Sequence, residues 1–173
     1  MNTRVLVILS LLVGIGAVLH AVVPPILFGV KPDMLLSMMF LGILLFPKPK
    51  YIAILAIVTG VISALTTAAP GGQIANLIDK PVTAACFFIL FLSVKRLMPT
   101  TISAPILTAV GTLISGTVFL SVVVFILGLM DGGFIGLFAG IVLPAAAVNT
   151  IIMIFVYPIV QGIIKRSKPI VVS

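Results

Sequence analysis

The chain has 173 residues, of which 62% are hydrophobic and only 8% are charged. A soluble domain carries about 25% charged residues, so this composition excludes a water-facing surface and places most of the surface in lipid. The net charge of +7 does not indicate nucleic-acid binding, because the basic residues lie between long apolar runs, where positive charge sets membrane orientation. One cysteine and one histidine are too few for an ordinary zinc site, and no cofactor is expected.

Charged residues divide the chain into apolar runs that predict six membrane-crossing helices. A ~30 Å hydrocarbon core needs about 20 apolar residues in a helix. The predicted fold is an all-α bundle forming one transmembrane domain over residues 1–173. Its helices are expected at roughly 5–23, 34–47, 52–69, 80–95, 104–128 and 135–163. The first run also resembles a signal peptide with cleavage after Ala21, but its removal would leave five spans, so we interpret it as the first helix.

Positive charge alternates between the two sides of the predicted bundle. If the N-terminus is cytoplasmic, eight of the ten Lys and Arg residues lie inside. Lys31 and Lys80 lie outside, together with the three acids Asp33, Asp79 and Asp131. The positive-inside rule favours this orientation. The sequence therefore predicts a multi-pass membrane protein with both termini in the cytoplasm.

Two of the predicted spans are short, and each begins with a mixed group of charges. Residues 34–47 and 81–94 are uncharged, and each run gives ~21 Å of helix, which is less than the bilayer core. The groups are Lys31-Pro32-Asp33 and Asp79-Lys80-Pro81. A charge at membrane depth normally faces a cavity or a partner charge. Both groups can line one cavity open to the outside; alternatively, they only mark the membrane interface.

Further polar residues are candidates for the same site. Pro70-Gly71-Gly72 predicts a tight turn with close backbone approach, and Gln73 and Asn76 can donate and accept hydrogen bonds. His20 either reaches the cavity or is hydrogen-bonded between helices. Asn149, in the middle of the sixth helix, is either a substrate contact or an interhelical contact contributing about 0.6–2 kcal/mol.

The first helix carries a stripe of small residues. Ser10, Gly14, Ala17 and Ala21 are spaced by four, three and four residues, so they share one face that a partner helix can approach closely. This face either packs within the bundle or docks another protein. A second set, expected to pack inside the bundle, opens the sixth helix: Gly132, Gly136 and Gly140.

Two blocks of the sequence resemble the bacterial tryptophan transporter family TrpP. One block is Lys31-Pro32-Asp33-Met34 with MMFLGILLFP at 38–47, and the other is PGGQ at 70–73 with Asn76 and DKPVT at 79–83. That family resembles the substrate-binding S components of energy-coupling factor (ECF) transporters, which are six-helix proteins that dock on a shared transmembrane subunit carrying two ATPases. The resemblance implies an S-component-like bundle in a bacterial cell membrane, tryptophan as the substrate, and docking through the stripe on the first helix.

A zwitterionic amino acid needs an anion for its ammonium and a cation for its carboxylate, and the two charge groups supply both. The predicted substrate-binding residues are Lys31, Asp33, Gly71, Gly72, Gln73, Asn76, Asp79, Lys80, His20 and Asn149. An indole also needs apolar or aromatic walls. The candidates for these walls are Phe28, Met34, Met38, Phe134 and Tyr157.

The leading functional interpretation is a membrane subunit that captures tryptophan and is energised by ATPases in trans, since the sequence has no GxxxxGK[ST] phosphate-binding loop. The alternative is a secondary transporter of tryptophan or another small nutrient, coupled to protons or sodium through Asp33 or Asp79. An intramembrane enzyme is disfavoured because the possible bases, Lys31, Lys80 and His20, have no convincing nucleophile. A structural scaffold leaves the paired charge groups unexplained.

Reporter fusions test the predicted orientation. Fusions after Lys50, Arg96 and Lys168 are expected to report a cytoplasmic position, and fusions near Gly72 and Gly132 an external one, because positive charge is retained inside. A cytoplasmic signal at Gly72 would overturn both the six-helix arrangement and the outward-facing cavity.

Overall fold

The structure is a computed structural model that describes residues 2–24, 31–129 and 133–166. Within these residues the regular structure is helical, as α1 (Thr3–Val22), α2 (Met34–Leu45), α3 (Pro49–Thr66), α4 (Gly72–Val94), α5 (Thr100–Ile126) and α6 (Phe134–Arg166). All of these except α2 are long and apolar enough to cross a membrane. The all-α fold class is therefore confirmed for the described part of the chain. Some residues interpreted above lie outside it: Phe28, Asp131, Gly132 and Lys168.

The short helix α2 lies inside the bundle. Every residue from Met34 to Leu44 is buried, and the helix contacts α1, α3, α4, α5 and α6. The sequence limits its length at both ends. Asp33 caps the first turn by accepting a hydrogen bond from the Leu36 N–H at 2.9 Å, and Phe46 leaves the helical conformation, as expected immediately before Pro47.

Helix α4 begins at Gly72, so the predicted start at residue 80 is wrong. The prediction placed the start of the helix at the charged pair Asp79-Lys80. These two side chains are instead buried and paired with each other, and the helix extends on both sides of them. With 23 residues, α4 is ~35 Å long and is not a short span. The tight turn predicted before it is present, with Gly71 in the left-handed region at φ 69°.

Helices α5 and α6 each contain a π-helical stretch, at Ser121–Ile126 and Phe138–Val142. Gly136 precedes the second stretch and Gly140 lies within it, and both face outward, since a Cβ added to either would meet nothing within 4 Å. The expectation that these glycines pack inside the bundle is wrong. The inner face of this helix is formed by larger side chains such as Val142.

Helix α1 packs with one face on α2 and α3 and leaves the small-residue stripe uncovered. Ser10, Gly14 and Ala21 are exposed, and Ala17 is half-buried. A Cβ added to Gly14 would meet nothing within 4 Å. The stripe therefore faces away from the described bundle rather than into it.

A candidate substrate-binding cavity

A lysine of α4 lies between two carboxylates inside the bundle. The Nζ atom of Lys80 is 2.8 Å from Oδ2 of Asp33 and 2.9 Å from Oδ2 of Asp79. Lys80 and Asp79 are 2% and 0% exposed, whereas 28% of the Asp33 side chain is exposed. An unpaired buried charge costs several kcal/mol, so these three groups depend on one another. We call them the ion cluster.

Asp79 is also held by two hydroxyl groups. Ser115 of α5 donates to Oδ2 of Asp79 at 2.7 Å, and Thr83 of α4 donates to Oδ1 at 2.7 Å. Together with Lys80, three donors therefore bind a carboxylate that offers about four acceptor positions. Because Ser115 belongs to a neighbouring helix, this carboxylate ties α4 to α5.

Asp33 connects the ion cluster to α2. One carboxylate oxygen, Oδ1, accepts the capping hydrogen bond from Leu36, while Oδ2 accepts from Lys80. The Nδ1 atom of His20, near the end of α1, is 4.0 Å from Oδ1 of Asp33. This nitrogen is buried and has no hydrogen-bond partner among the described residues. Asp33 thus lies where α1, α2 and α4 meet.

A cavity of about 280 Å³ lies beside the ion cluster. Its polar lining comes from α1, α3, α4, α5 and the connections between helices: His20, Lys31, Asp33, Ser63, Thr67, Asn76, Asp79, Lys80, Thr112 and Ser115. Its remaining lining is formed by Leu36, Ala68, Ala69, Gly116, Phe119, Ile141, Val142 and Ala145. A few charged groups among apolar and aromatic walls are typical of binding sites for small molecules. The volume of this cavity suits a ligand at the small end of that class.

Six of the ten predicted substrate-binding residues line this cavity, namely His20, Lys31, Asp33, Asn76, Asp79 and Lys80. The predicted meeting of the two charge groups in one cavity is therefore found in the structure. Asn76 is fixed there by its side-chain amide, which donates to the Gly72 carbonyl at 2.8 Å and to the Ser63 carbonyl at 3.4 Å.

The other four predicted residues lie away from the cavity lining. Gly71 and Gly72 form the turn before α4, where the Gly72 N–H donates to the Ala69 carbonyl at 3.0 Å and is not free for a ligand. Gln73 is exposed. Asn149 is buried and donates to Oγ1 of Thr112 at 3.3 Å, so it forms an interhelical contact between α6 and α5.

The apolar walls also differ from those expected. The expected candidates among the described residues, Met34, Met38, Phe134 and Tyr157, are not part of the lining. Phe134 instead stacks with Phe125 and Phe138. The large apolar residues of the wall are Leu36 and residues of α5 and α6. Most residues of α5 and α6 are apolar, so the sequence does not distinguish those that face the cavity from those that face lipid.

Hydroxyl residues that line the cavity or hold the ion cluster were not predicted, among them Thr83, Thr112 and Ser115. A signal for them is present in the sequence. Thr108, Thr112 and Ser115 are spaced by four and three residues, so they fall on one face of an otherwise apolar helix, and all three are buried. Thr83 follows Asp79 by four residues, a spacing at which two helical side chains are neighbours.

Long apolar helices around a charged cavity of ligand size are the features of a multi-pass membrane transport protein. Residues 2–165 match the family described as "Tryptophan transporter TrpP", and the chain belongs to this family. It is therefore a transport protein and not an enzyme.

Three relatives carry the name "Probable tryptophan transport protein". The protein from Bacillus subtilis (strain 168) is 57% identical over 97% of this chain and 96% of its own length. The protein from Clostridium acetobutylicum is 41% identical over 93% of this chain and 94% of its own, and that from Clostridium perfringens is 33% identical over 96% of each. No solved structure shows a significant match.

Proposed function

We propose that this protein captures tryptophan in the cavity beside the ion cluster, for import across the bacterial cell membrane. Membership of the TrpP family and 57% identity to a probable tryptophan transport protein support tryptophan as the substrate. The observation that carries the proposal is the ion cluster itself, in which Asp33, Lys80 and Asp79 line a cavity that also has apolar walls. Charges inside a membrane protein usually mark a substrate pathway.

The chemistry of the lining matches the two halves of tryptophan. The charged groups offer carboxylates for the ammonium and lysines for the carboxylate, through charge-assisted hydrogen bonds of about 1.5–3 kcal/mol each. Leu36, Phe119 and Val142 offer apolar surface for the indole, and an aromatic pair adds about 0.5–1.5 kcal/mol to the burial of its area.

The proposed topology places this cavity at the outer surface. Its lining includes His20 near the end of α1, Asp33 before α2, Thr67 after α3 and Asn76 near the start of α4. These positions share one end of the bundle. We propose that all six helices, including α2, form the membrane bundle with both termini in the cytoplasm, so that this end is external.

Filling the cavity tests the proposed site. Ala145 lines the cavity, so Ala145→Phe is expected to raise the dissociation constant for tryptophan at least tenfold, or about 1.4 kcal/mol. The measurement is isothermal titration of the purified protein. Ala147→Phe is the matched control, because Ala147 lies on the same helix and is exposed; it should bind as the wild type does. Equal affinity of the two variants would place tryptophan elsewhere.

We further propose that the protein is the S component of an ECF-type transporter and that the open face of α1 docks the partner's transmembrane subunit. The stripe of Ser10 and Gly14 is flanked by two apolar grooves, of about 740 Å³ and about 210 Å³. Small residues let a second helix approach closely in lipid, where packing rather than the hydrophobic effect drives association. The larger groove is open and almost entirely apolar, which suits a helix better than a zwitterion.

Enlarging the stripe is expected to separate transport from binding. Gly14→Leu or Ala17→Trp should abolish tryptophan uptake in cells, while titration of the purified variants should show wild-type affinity. Gly136→Leu is the control, because its added side chain also enters open space but lies on another helix. Wild-type uptake by the stripe variants would contradict docking at α1. Tryptophan uptake by the wild-type protein in liposomes, driven by an ion gradient alone, would favour the secondary transporter.

A further inference from the structure

We infer that the charged residues of the cavity divide into two pairs with different tasks. Asp79 and Lys80 only hold the helices together, whereas Asp33, in addition to capping α2 and pairing with Lys80, binds the ammonium of the substrate, and Lys31 binds its carboxylate. The inference rests on the proposed function and defines the substrate class as amino acids in which both α-groups are free and charged.

The inner pair, Asp79 and Lys80, has its bonding positions largely occupied. Asp79 is 0% exposed and accepts from Lys80, Ser115 and Thr83 at 2.7–2.9 Å. Lys80 is 2% exposed and donates to two carboxylates. A substrate that bound either group would displace one of these partners and leave a buried charge less well paired, which is strongly unfavourable. These two residues are therefore suited to fixing α4 against its neighbours.

The carboxylate of Asp33 has room for a further donor. Its side chain is 28% exposed, and its two bonds, from the Leu36 N–H and from Lys80, use about half of the acceptor positions of a carboxylate. The unpartnered Nδ1 of His20 lies 4.0 Å from Oδ1 of Asp33. With the ring proton on Nε2, Nδ1 is an acceptor, and two acceptors this far apart can both bond one ammonium nitrogen placed between them, at ordinary distances of about 2.8–3.0 Å.

The balance of charge also favours an ammonium at Asp33. The ion cluster contains two carboxylates and one ammonium, so it carries one excess negative charge when His20 is neutral. A bound substrate ammonium would balance that charge. Lys31 lines the same cavity and is half-buried, and none of the ion pairs among the described residues includes it. It is the lysine left to bind the substrate carboxylate.

Three ligands test this division by isothermal titration of the purified protein. Tryptophan carries both charges, indole-3-propionate lacks the ammonium, and tryptophanamide lacks the carboxylate. The wild type should prefer tryptophan to either analogue by about tenfold or more. Asp33→Asn should lose most of its preference for tryptophan over indole-3-propionate. Lys31→Gln should lose most of its preference for tryptophan over tryptophanamide.

Asp79→Asn provides the contrasting case. It should lower the midpoint of thermal unfolding, because it weakens the ion cluster, while the folded protein keeps both preferences. Thr83→Val removes one donor from Asp79 without changing a charge, at a residue outside the cavity lining, and it gives the same comparison if Asp79→Asn does not fold. Preferences that survive in Asp33→Asn, or that vanish in Thr83→Val, would overturn the inference while leaving the proposed function intact. Failure of the wild type to bind tryptophan would refute the proposed function itself.

Discussion

The buried ammonium of Lys80 is the constraint on which much of this bundle depends. At 2% exposure it needs nearby negative charge, because water is not available to stabilise it. Asp79 supplies one carboxylate from the same helix, and Asp33 supplies the other from the start of α2. Asp79 in turn accepts from Ser115 of α5. The ammonium of Lys80 thus joins α4 to the start of α2, and its partner Asp79 joins α4 to α5.

Asp33 has two structural tasks at once. It caps α2 through the Leu36 N–H and pairs with Lys80 through its other oxygen. A carboxylate at a helix N-terminus is favourable because the unpaired N–H groups there carry partial positive charge. The short, buried helix α2 is therefore held in place at the level of the ion cluster, and the cavity opens where the ends of its neighbours meet. The charged residues that position the helices therefore also line the proposed binding cavity.

Much of the architecture could be predicted because long apolar runs have few possible structures in a membrane. The meeting of the charge groups before α2 and around residue 80 could also be predicted, since isolated charges are unfavourable in lipid. The start of α4 could not be predicted, because adjacent charged residues in a single sequence can indicate either the end of a helix at the membrane surface or a buried ion pair within a helix. The walls around Phe119 and Val142 are indistinguishable by composition from lipid-facing residues. The pairing of Asp79 with Ser115 of α5 depends on how the two helices are rotated toward each other, which the spacing of residues along one helix does not determine.

The most direct test of this account is an experimental structure of the protein with tryptophan bound. The account predicts that the indole lies in the cavity against Phe119 and Val142, with the amino group within hydrogen-bonding distance of the Asp33 carboxylate and Lys80 still paired with Asp79. Tryptophan bound outside this cavity, with the ion cluster unchanged and free of contact, would contradict it.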